Sequence, residues 1–314
     1  MGRGAAVAIA VLCGLAAAGL YLTAVLGSTG ALILVYLTQL PLFIAGLWLG
    51  AGAAALAGLT ATAVMLGASD ALGAGIFAAL NAVPVVLLVR QALLARRRPD
   101  GAVDWYPSGL LTGWLTALAL AGLAAAVLLL GGRQGVEAQL NPMLGRLLAE
   151  LGDPNPADRD ALAHLLVMVM PGVAAASWMA MVAANGILAQ GVLARFGVAW
   201  RPSPDLAALT LPAWMLPVLA AASLATAVGG TARFFGVNAL IVLGVPFCLA
   251  GLAVVHTVAR RLPHPMAALI PIYAMAALFG WPLMVIAIVG LFECGFRLRR
   301  RLAGNGSVGG NFDG

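Results

Sequence analysis

The chain has 314 residues, of which 63% are hydrophobic and only 9% are charged, and its mean hydropathy is +1.03. Because soluble domains carry roughly 45–50% apolar and about 25% charged residues, this composition excludes a soluble fold and predicts helices that face lipid. The net charge of +6 comes from seventeen arginines without a lysine. They stand at the ends of apolar runs, a placement that indicates membrane topology and excludes a nucleic-acid-binding face.

The first apolar run, Ala5–Leu26, follows Arg3 and resembles a signal peptide. It is longer than the roughly 7–15 apolar residues typical of one, so we interpret it as a retained first span. Cys13 in this run, like Cys248 and Cys294 later, lies within or at the edge of apolar sequence. We interpret the three cysteines as packing residues rather than as a disulfide or a metal site.

A helix needs about 20 residues to cross a hydrocarbon layer of about 30 Å. Ala31–Leu66 contains 36 residues and no charge, so it predicts two crossings that break at Gly50-Ala51-Gly52. The following runs predict one span each, and the longest is expected to bend near Pro171-Gly172. They are Ala71–Leu94, Gly109–Leu130, a helix from Asn155-Pro156 through Leu193, Leu209–Val228 and Phe235–Val258.

The longest polar segment, residues 131–161, is an outer loop between the fifth and sixth spans. Within it, Asn141-Pro142 is typical of a helix start, with Asn as the cap and Pro at the first position. Four leucines follow at helical spacing up to Leu151. They predict a short amphipathic helix, Pro142–Leu151, on the membrane surface. Residues 304–314 are rich in Gly and Asn and predict a disordered tail, so residues 1–303 are expected to form one transmembrane domain.

Arginine placement predicts the orientation of the chain. With a cytoplasmic N-terminus, and with Met266–Phe292 folded as two short helices that break near Gly280-Trp281-Pro282, 13 arginines are cytoplasmic and four are outside. A single crossing there would divide them nine to eight and abolish the positive-inside bias. The sequence therefore predicts an all-α bundle of about eight spans plus a C-terminal helical hairpin. Both termini are expected in the cytoplasm.

Motifs of nucleotide binding, nucleophilic catalysis and metal binding are missing from the sequence. It contains no P-loop, G-x-S-x-G elbow, H-E-x-x-H pair or C-x-x-C pair. We therefore expect no catalytic residue, no metal ligand, no cofactor and no enzyme activity. Energised transport would require an ATPase partner or an ion gradient.

Polar side chains at membrane depth are the first candidate site, because each costs free energy unless it is paired. Asn and Gln also link helices by hydrogen bonds, Asn81 can satisfy backbone groups freed by Pro84, and Asp70 can cap the fourth span. Both interpretations stay open at this point. The candidate ligand-binding residues are Gln39, Asp70, Asn81, Asn185, Arg233 and Asn238.

A second candidate site is the cytoplasmic loop Trp200–Asp205. Its residues Trp200, Arg201 and Asp205 are candidates for docking a partner protein. Closer to the C-terminus, Glu293 precedes Arg297 by four residues, which is the favourable order for an ion pair along a helix.

Four segments resemble a known family. They are Arg201–Asp205 followed by Leu211-Pro212-Ala213-Trp214, Asn238 through Val254, Gly290-Leu291-Phe292-Glu293 through Arg299, and Gln39-Leu40-Pro41-Leu42 near the N-terminus. Together they resemble the YybS-like family of bacterial membrane proteins, a domain of unknown function. The resemblance implies remote similarity to the S-components of energy-coupling-factor transporters. In that group a membrane subunit binds a nutrient and couples to separate ATPases, partly through small residues of its first helix, although S-components have fewer helices than are predicted here.

Two hypotheses follow from the sequence. The first is a solute-binding or permease-like subunit without its own ATPase, with a cavity that reaches Gln39 and Asn81 from outside. The alternative is a non-transporting scaffold that docks a partner through the Trp200–Asp205 loop or the surface helix; a membrane enzyme has the least support. The expected partners are the lipid bilayer, further membrane or ATPase subunits and a small-molecule ligand, but no nucleic acid.

Overall fold

A computed structural model of the chain describes residues 2–26, 29–150 and 156–299. The described chain is almost entirely helical. Its helices are α1 Arg3–Leu22, α2 Thr29–Tyr36, α3 Leu40–Leu49, α4 Ala51–Ala68, α5 Ala71–Phe77, α6 Val83–Ala92, α7 Ser108–Leu129, α8 Gly132–Glu150, α9 Pro156–Arg195, α10 Met215–Val228, α11 Gly230–Ala259, α12 Pro265–Phe279 and α13 Trp281–Phe296. Short 3₁₀ turns occur at Thr23–Leu26 and Leu206–Ala208, and a π-helical turn at Ala78–Ala82 joins α5 to α6. The predicted tail, 304–314, lies outside the described residues.

Seven segments of the described chain are long and apolar enough to cross a membrane. They are Arg3–Leu22, Gly30–Leu49, Ala51–Ala68, Ala71–Ala92, Ser108–Leu129, Ala161–Arg195 and Gly230–Ala259. The pair α12–α13, bent by 120°, makes an eighth if it counts as one span. The predicted all-α fold and the multi-pass membrane character are therefore confirmed.

Two predicted breaks are confirmed, and each falls on a glycine with positive φ. Gly50 has φ 102° between α3 and α4, and Gly280 has φ 68° between α12 and α13. Only glycine adopts this backbone region without strain from a Cβ atom. The C-terminal apolar stretch consequently folds as two helices.

The predicted start of the surface helix at Asn141-Pro142 is wrong. α8 begins at Gly132 and carries Pro142 inside it. The residues before the proline already favour a helix, because Arg133 and Glu137 form an i,i+4 ion pair with 2.7 Å between Nε and Oε1. Val136, Leu144 and Leu148 are buried on one side of α8. Leu151 lies outside the described residues.

A short β-hairpin was not anticipated from the sequence. Ala95–Arg97 (β1) pairs antiparallel with Val103–Trp105 (β2), with Arg96 opposite Asp104. An exposed ion pair between Arg98 and Asp104, with 2.6 Å between Nε and Oδ2, closes the turn. The sequence shows only that the helical pattern ends before the arginines. A hairpin depends on contacts between its two strands, and a run of three arginines does not predict such contacts.

The helices group into two compact units. Unit 1 comprises Met1–Leu115 and Trp178–Pro204, and unit 2 comprises Thr116–Ser177 and Asp205–Gly314. In unit 1, α1 packs on α4 through small residues, and a Cβ atom on Gly14 would overlap the carbonyl oxygen of Ala57. The buried face of α1 consists of Ala10, Gly14, Ala17 and Ala18.

In unit 2, α11 crosses α13 at a pair of glycines. A Cβ atom on Gly251 would overlap the carbonyl oxygen of Ile286, and one on Gly290 would overlap that of Phe247. Such close backbone approach maximises van der Waals contact between helices that gain nothing from hydrophobic burial in lipid. α10 packs on the same helix, with Met215, Ala222, Leu243 and Phe247 in the core.

Candidate functional site

The second span is interrupted at its centre, where Gln39 lies. α2 ends at Tyr36, α3 begins at Leu40, and the chain between them forms a turn. Because Pro41 has no N–H group, the Leu37 carbonyl lacks its α-helical donor, and it accepts instead from the Leu40 N–H at 3.0 Å. The Leu40 N–H is thereby withdrawn from the carbonyl of Tyr36. The interruption at Pro41 was not predicted.

The fourth span is interrupted in unit 1 as well, and Gln39 contacts it there. Pro84 removes the N–H that would bond the Leu80 carbonyl in an α-helix. That carbonyl accepts instead from Gln39 Nε2 at 3.0 Å and from Trp178 Nε1 at 2.9 Å. Gln39 Nε2 also lies 3.3 Å from Asn81 Oδ1. Two neighbouring interrupted helices are thus joined through buried amide groups.

Asn185 satisfies the carbonyl released at the first interruption. Its Nδ2 donates to the carbonyl of Tyr36 at 2.7 Å and to that of Met181 at 2.8 Å. Like Gln39 and Asn81, it is almost fully buried. The structure therefore brings Gln39, Asn81 and Asn185 together, and each has a backbone or side-chain amide partner from another element.

Some oxygens in this group have no partner. Thr38 Oγ1, Gln39 Oε1 and Asn185 Oδ1 are buried, and no hydrogen bond reaches them from the described part of the chain. A buried polar atom left unpaired costs roughly 1–3 kcal/mol. Thr38 and Trp178 were missed as site residues, although Thr38 is next to a candidate and close to a proline.

Asn238 bonds the backbone of α9 next to a third proline, Pro171, in unit 2. Its Oδ1 accepts from the N–H of Gly172, and its Nδ2 donates at 2.9 Å to the carbonyl of Met168. In a regular helix that carbonyl would bond the Gly172 N–H directly. The amide is inserted into the backbone ladder of α9 next to Pro171, and a Cβ atom on Gly172 would lie 2.8 Å from Asn238 Oδ1. Asn238 is therefore fully occupied by backbone groups.

The two remaining candidates are exposed. Asp70 caps α5, because its Oδ1 accepts from the N–H of Gly73 at 2.7 Å. Arg233 lies in the first turn of α11 with its side chain exposed. A polar cavity of about 550 Å³ opens one turn away, lined by Gly131, Gly132, Arg133, Gln134, Glu137, Gly230 and Thr231. Arg233 is not part of its wall, and the cavity is in the other unit from Gln39 and Asn81.

The predicted docking residues have three different environments. Trp200 is 59% exposed, whereas Arg201 is buried and donates to the carbonyls of Ala92 at 3.0 Å and Tyr106 at 3.3 Å. Ala92 ends α6, where unpaired carbonyls and the helix dipole favour a cation. Burial lowers the pKa of the Arg201 guanidinium, which nonetheless stays charged. Arg201 consequently holds the loop in place and is not itself presented to a partner, whereas Trp200 and Asp205 are exposed.

Asp205 belongs to an electrostatic cluster at one end of unit 2. Arg260 donates to both of its carboxylate oxygens, at 2.8 and 3.0 Å. This contact, with help from the N–H of Ala207, holds the pKa of Asp205 below its usual value.

A buried ion pair lies beside this cluster, and its partners differ from the prediction. Glu293 pairs with Arg299 at 2.8 Å, not with Arg297, and the side chains are only 9% and 13% exposed. Arg297 ends α13 in the left-handed conformation, with φ 51°, and so directs the next residues back onto the helix end. Arg299 also donates to the carbonyls of Ala207 and Leu209.

No group of three or more His, Cys, Asp or Glu side chains that could hold a metal ion occurs among the residues described. Comparison of the chain with protein families, with curated proteins and with solved structures finds no match.

We expect Asn238→Leu to destabilise the protein, because it leaves both the Gly172 N–H and the Met168 carbonyl without partners, at roughly 1–3 kcal/mol for each group. Pro171→Ala allows α9 to close its own ladder and should restore part of this loss in the double variant. The measurement is the free energy of unfolding of all four proteins of the cycle in detergent. Strict additivity of the two substitutions would contradict the inserted-amide interpretation.

We expect Arg299→Gln to cost about 3–5 kcal/mol, because it leaves the buried Glu293 carboxylate unpaired. Arg297→Gln is the matched control and should change stability by no more than about 0.5 kcal/mol, since its side chain is exposed. Thermal unfolding in detergent compares the two. Equal losses, or a larger loss for Arg297→Gln, would mean that the helical i,i+4 pair forms after all.

Proposed function

We propose that this chain is a multi-pass membrane subunit that binds or conducts a small solute and has no ATPase of its own. The observation that carries the proposal is the pair of interrupted helices in unit 1, which meet at the Gln39–Asn81 contact. Interrupted helices expose backbone and amide groups at membrane depth, and these are the groups that bind solutes and ions in transporters.

The burial of the amides limits what they do in this proposal. Gln39, Asn185 and Asn238 donate from their nitrogen atoms to backbone carbonyls, and Asn81 Oδ1 accepts from Gln39, so the role of these residues as sole solute ligands loses support. Binding is favoured by the oxygen atoms of this group, which are buried at the interruption of the second span and have no partner in the described chain. Leaving these oxygens unpaired costs free energy, and no bulk water is present in the hydrocarbon to bond them. A solute or ion that bonds them removes this cost.

Both termini lie in the cytoplasm in this proposal, with eight spans and a C-terminal helix pair. The contacts of unit 2 support this orientation, because Asp205, Arg260 and Arg299 meet at one end. In the predicted topology all three are cytoplasmic. α10 is the weak point, since its 14 residues span only about 21 Å as a helix. The proposed location is the inner membrane of a bacterium, as the resemblance to the YybS-like family implies.

A partner ATPase belongs to the same proposal through that resemblance. The small face of α1 is packed against α4, so it is not the surface through which such a partner would couple. The alternative, a scaffold without transport, is favoured by one observation: Trp200 is exposed on a loop held in place by Arg201. An exposed indole at a membrane interface also fits an aromatic belt, which needs no partner protein.

The orientation predicts a labelling pattern for single cysteines in a background where Cys13, Cys248 and Cys294 are alanine. A membrane-impermeant maleimide should modify Gln134→Cys from the outside. Arg261→Cys and Arg297→Cys should react only in inverted vesicles, because both lie at cytoplasmic ends. Labelling of Arg297→Cys from outside would make α12–α13 a single crossing and reverse the arginine argument.

The proposed function predicts that proteoliposomes of the full chain retain a compound from a soluble metabolite extract. After washing, mass spectrometry should find it enriched over protein-free liposomes, and Gln39→Leu should abolish the enrichment. Leu80 keeps its bond from Trp178 in that variant, so the fold is expected to persist. Gln190→Leu is the matched control, since Gln190 bonds only a loop carbonyl, that of Arg201. Enrichment of no compound by the wild type would leave the scaffold alternative.

A further inference from the structure

We propose that the turn between α2 and α3, together with Asn185, binds a single alkali-metal cation through Thr38 Oγ1, Gln39 Oε1 and Asn185 Oδ1. The inference rests on the proposed solute-handling function, to which it adds a coupling ion.

The three residues that carry these oxygens lie at or next to one turn of unit 1. Thr38 and Gln39 are consecutive residues of the turn, and Asn185 Nδ2 lies 2.7 Å from the carbonyl of Tyr36, which opens that turn. Thr38 and Gln39 are completely buried, and Asn185 is 2% exposed. None of the three oxygen atoms has a hydrogen-bond partner in the described chain. Three orphaned oxygens at a single helix interruption are unusual, because buried polar groups in native proteins are almost always paired.

The orientation of the two amides determines what the site presents. Gln39 Nε2 donates to the Leu80 carbonyl and Asn185 Nδ2 donates to the Tyr36 and Met181 carbonyls. These acceptors decide which end of each amide is the nitrogen, since a carbonyl oxygen can bond an N–H group but not another oxygen without a hydrogen. The oxygen ends left over can accept but cannot donate. The region therefore offers lone pairs and calls for a positively charged or hydrogen-donating occupant.

The charge of the surroundings selects the kind of cation. Gly30–Leu49, Ala71–Ala92 and Ala161–Arg195 contain no Asp or Glu. Mg²⁺ and Ca²⁺ sites use carboxylates to offset a double charge, whereas neutral carbonyl, amide and hydroxyl oxygens suit a monovalent ion. Oxygen-only ligands also exclude Zn²⁺ and Cu²⁺, which need nitrogen or sulfur. An alkali-metal cation is the occupant that matches a neutral, all-oxygen set.

An ordered water molecule is the competing occupant. It would donate two hydrogens to the amide oxygens and accept one from the Thr38 hydroxyl. The location distinguishes the two cases in function, because an irregular turn at the centre of a span is the kind of place where transporters coordinate ions. A lone water would leave the interruption of the second span without a role beyond accommodating Pro41.

The test measures binding directly on the full-length protein in detergent. Radioactive ²²Na⁺ should bind to one saturable site per chain. The melting temperature should rise with NaCl or KCl relative to choline chloride at equal ionic strength, as mass action requires of a ligand that binds the folded state.

Thr38→Val is the informative variant, because it removes one oxygen, keeps the side-chain shape and breaks no hydrogen bond within the described chain. It should weaken Na⁺ binding about tenfold, that is by about 1.4 kcal/mol, with its stability in choline chloride unchanged. Thr38→Ser restores the hydroxyl and should bind like the wild type. Thr62→Val is the matched control, since the Thr62 hydroxyl is already bonded to the carbonyl of Gly58.

Absence of saturable ²²Na⁺ binding, or melting temperatures that are equal in all three salts, would mean that the turn holds ordered water only and would overturn the proposal. Na⁺ binding that survives Thr38→Val unchanged would overturn it too. The retention experiment in proteoliposomes tests the proposed function independently of the cation site. Na⁺ binding without any retained compound would contradict the solute function but not the cation site. A retained compound without Na⁺ binding does the reverse.

Discussion

A backbone carbonyl inside hydrocarbon that loses its helical donor must find another, because no water is present to replace it. In the described chain, a side chain from another segment bonds the backbone next to three of the prolines, Pro41, Pro84 and Pro171. Trp178 and Gln39 reach the carbonyl left by Pro84, Asn185 reaches the one released near Pro41, and Asn238 enters the ladder beside Pro171. The packing of each unit depends on these contacts, since a proline without its partner would leave the helix locally unpaired in an apolar medium.

The same constraint changes how polar residues at membrane depth should be interpreted. An Asn or Gln in a span is often interpreted as a functional residue, because an unpaired polar side chain inside the membrane costs free energy. Here the side-chain nitrogen atoms of Gln39, Asn185 and Asn238 donate to backbone carbonyls. Only the oxygens of Gln39 and Asn185, with the hydroxyl of Thr38, are left over, and they gather at the interruption of the second span. In Gln39 and Asn185 the amide nitrogen therefore stabilises the fold, whereas the unpaired amide oxygen is the atom for which we propose a ligand.

Electrostatics plays a different part at one end of unit 2. Asp205 with Arg260, and Glu293 with Arg299, bring charges from four places in the sequence to one region. The first pair is exposed and contributes little to stability, whereas the second is buried and depends on both partners being present. The left-handed residue Arg297 makes the second pair possible, because it turns the chain so that Arg299 rather than Arg297 faces the carboxylate. The arginines that orient the chain in its membrane therefore also close the end of this unit.

Composition and apolar run length alone determined that the chain is a helical, multi-pass membrane protein, because a bilayer imposes one length on every crossing. Glycine chemistry located the breaks at Gly50 and Gly280, since a positive φ is a local requirement that one residue type meets. The sequence could not predict which backbone groups on other segments bond Gln39, Asn185 and Asn238, because these groups lie 41 to 149 residues away in the chain. The start of α8 and the partner of Glu293 were predicted wrongly for a related reason. Local rules describe a helix in isolation, whereas the tertiary structure decides which backbone groups are short of a partner and which side chains can reach them.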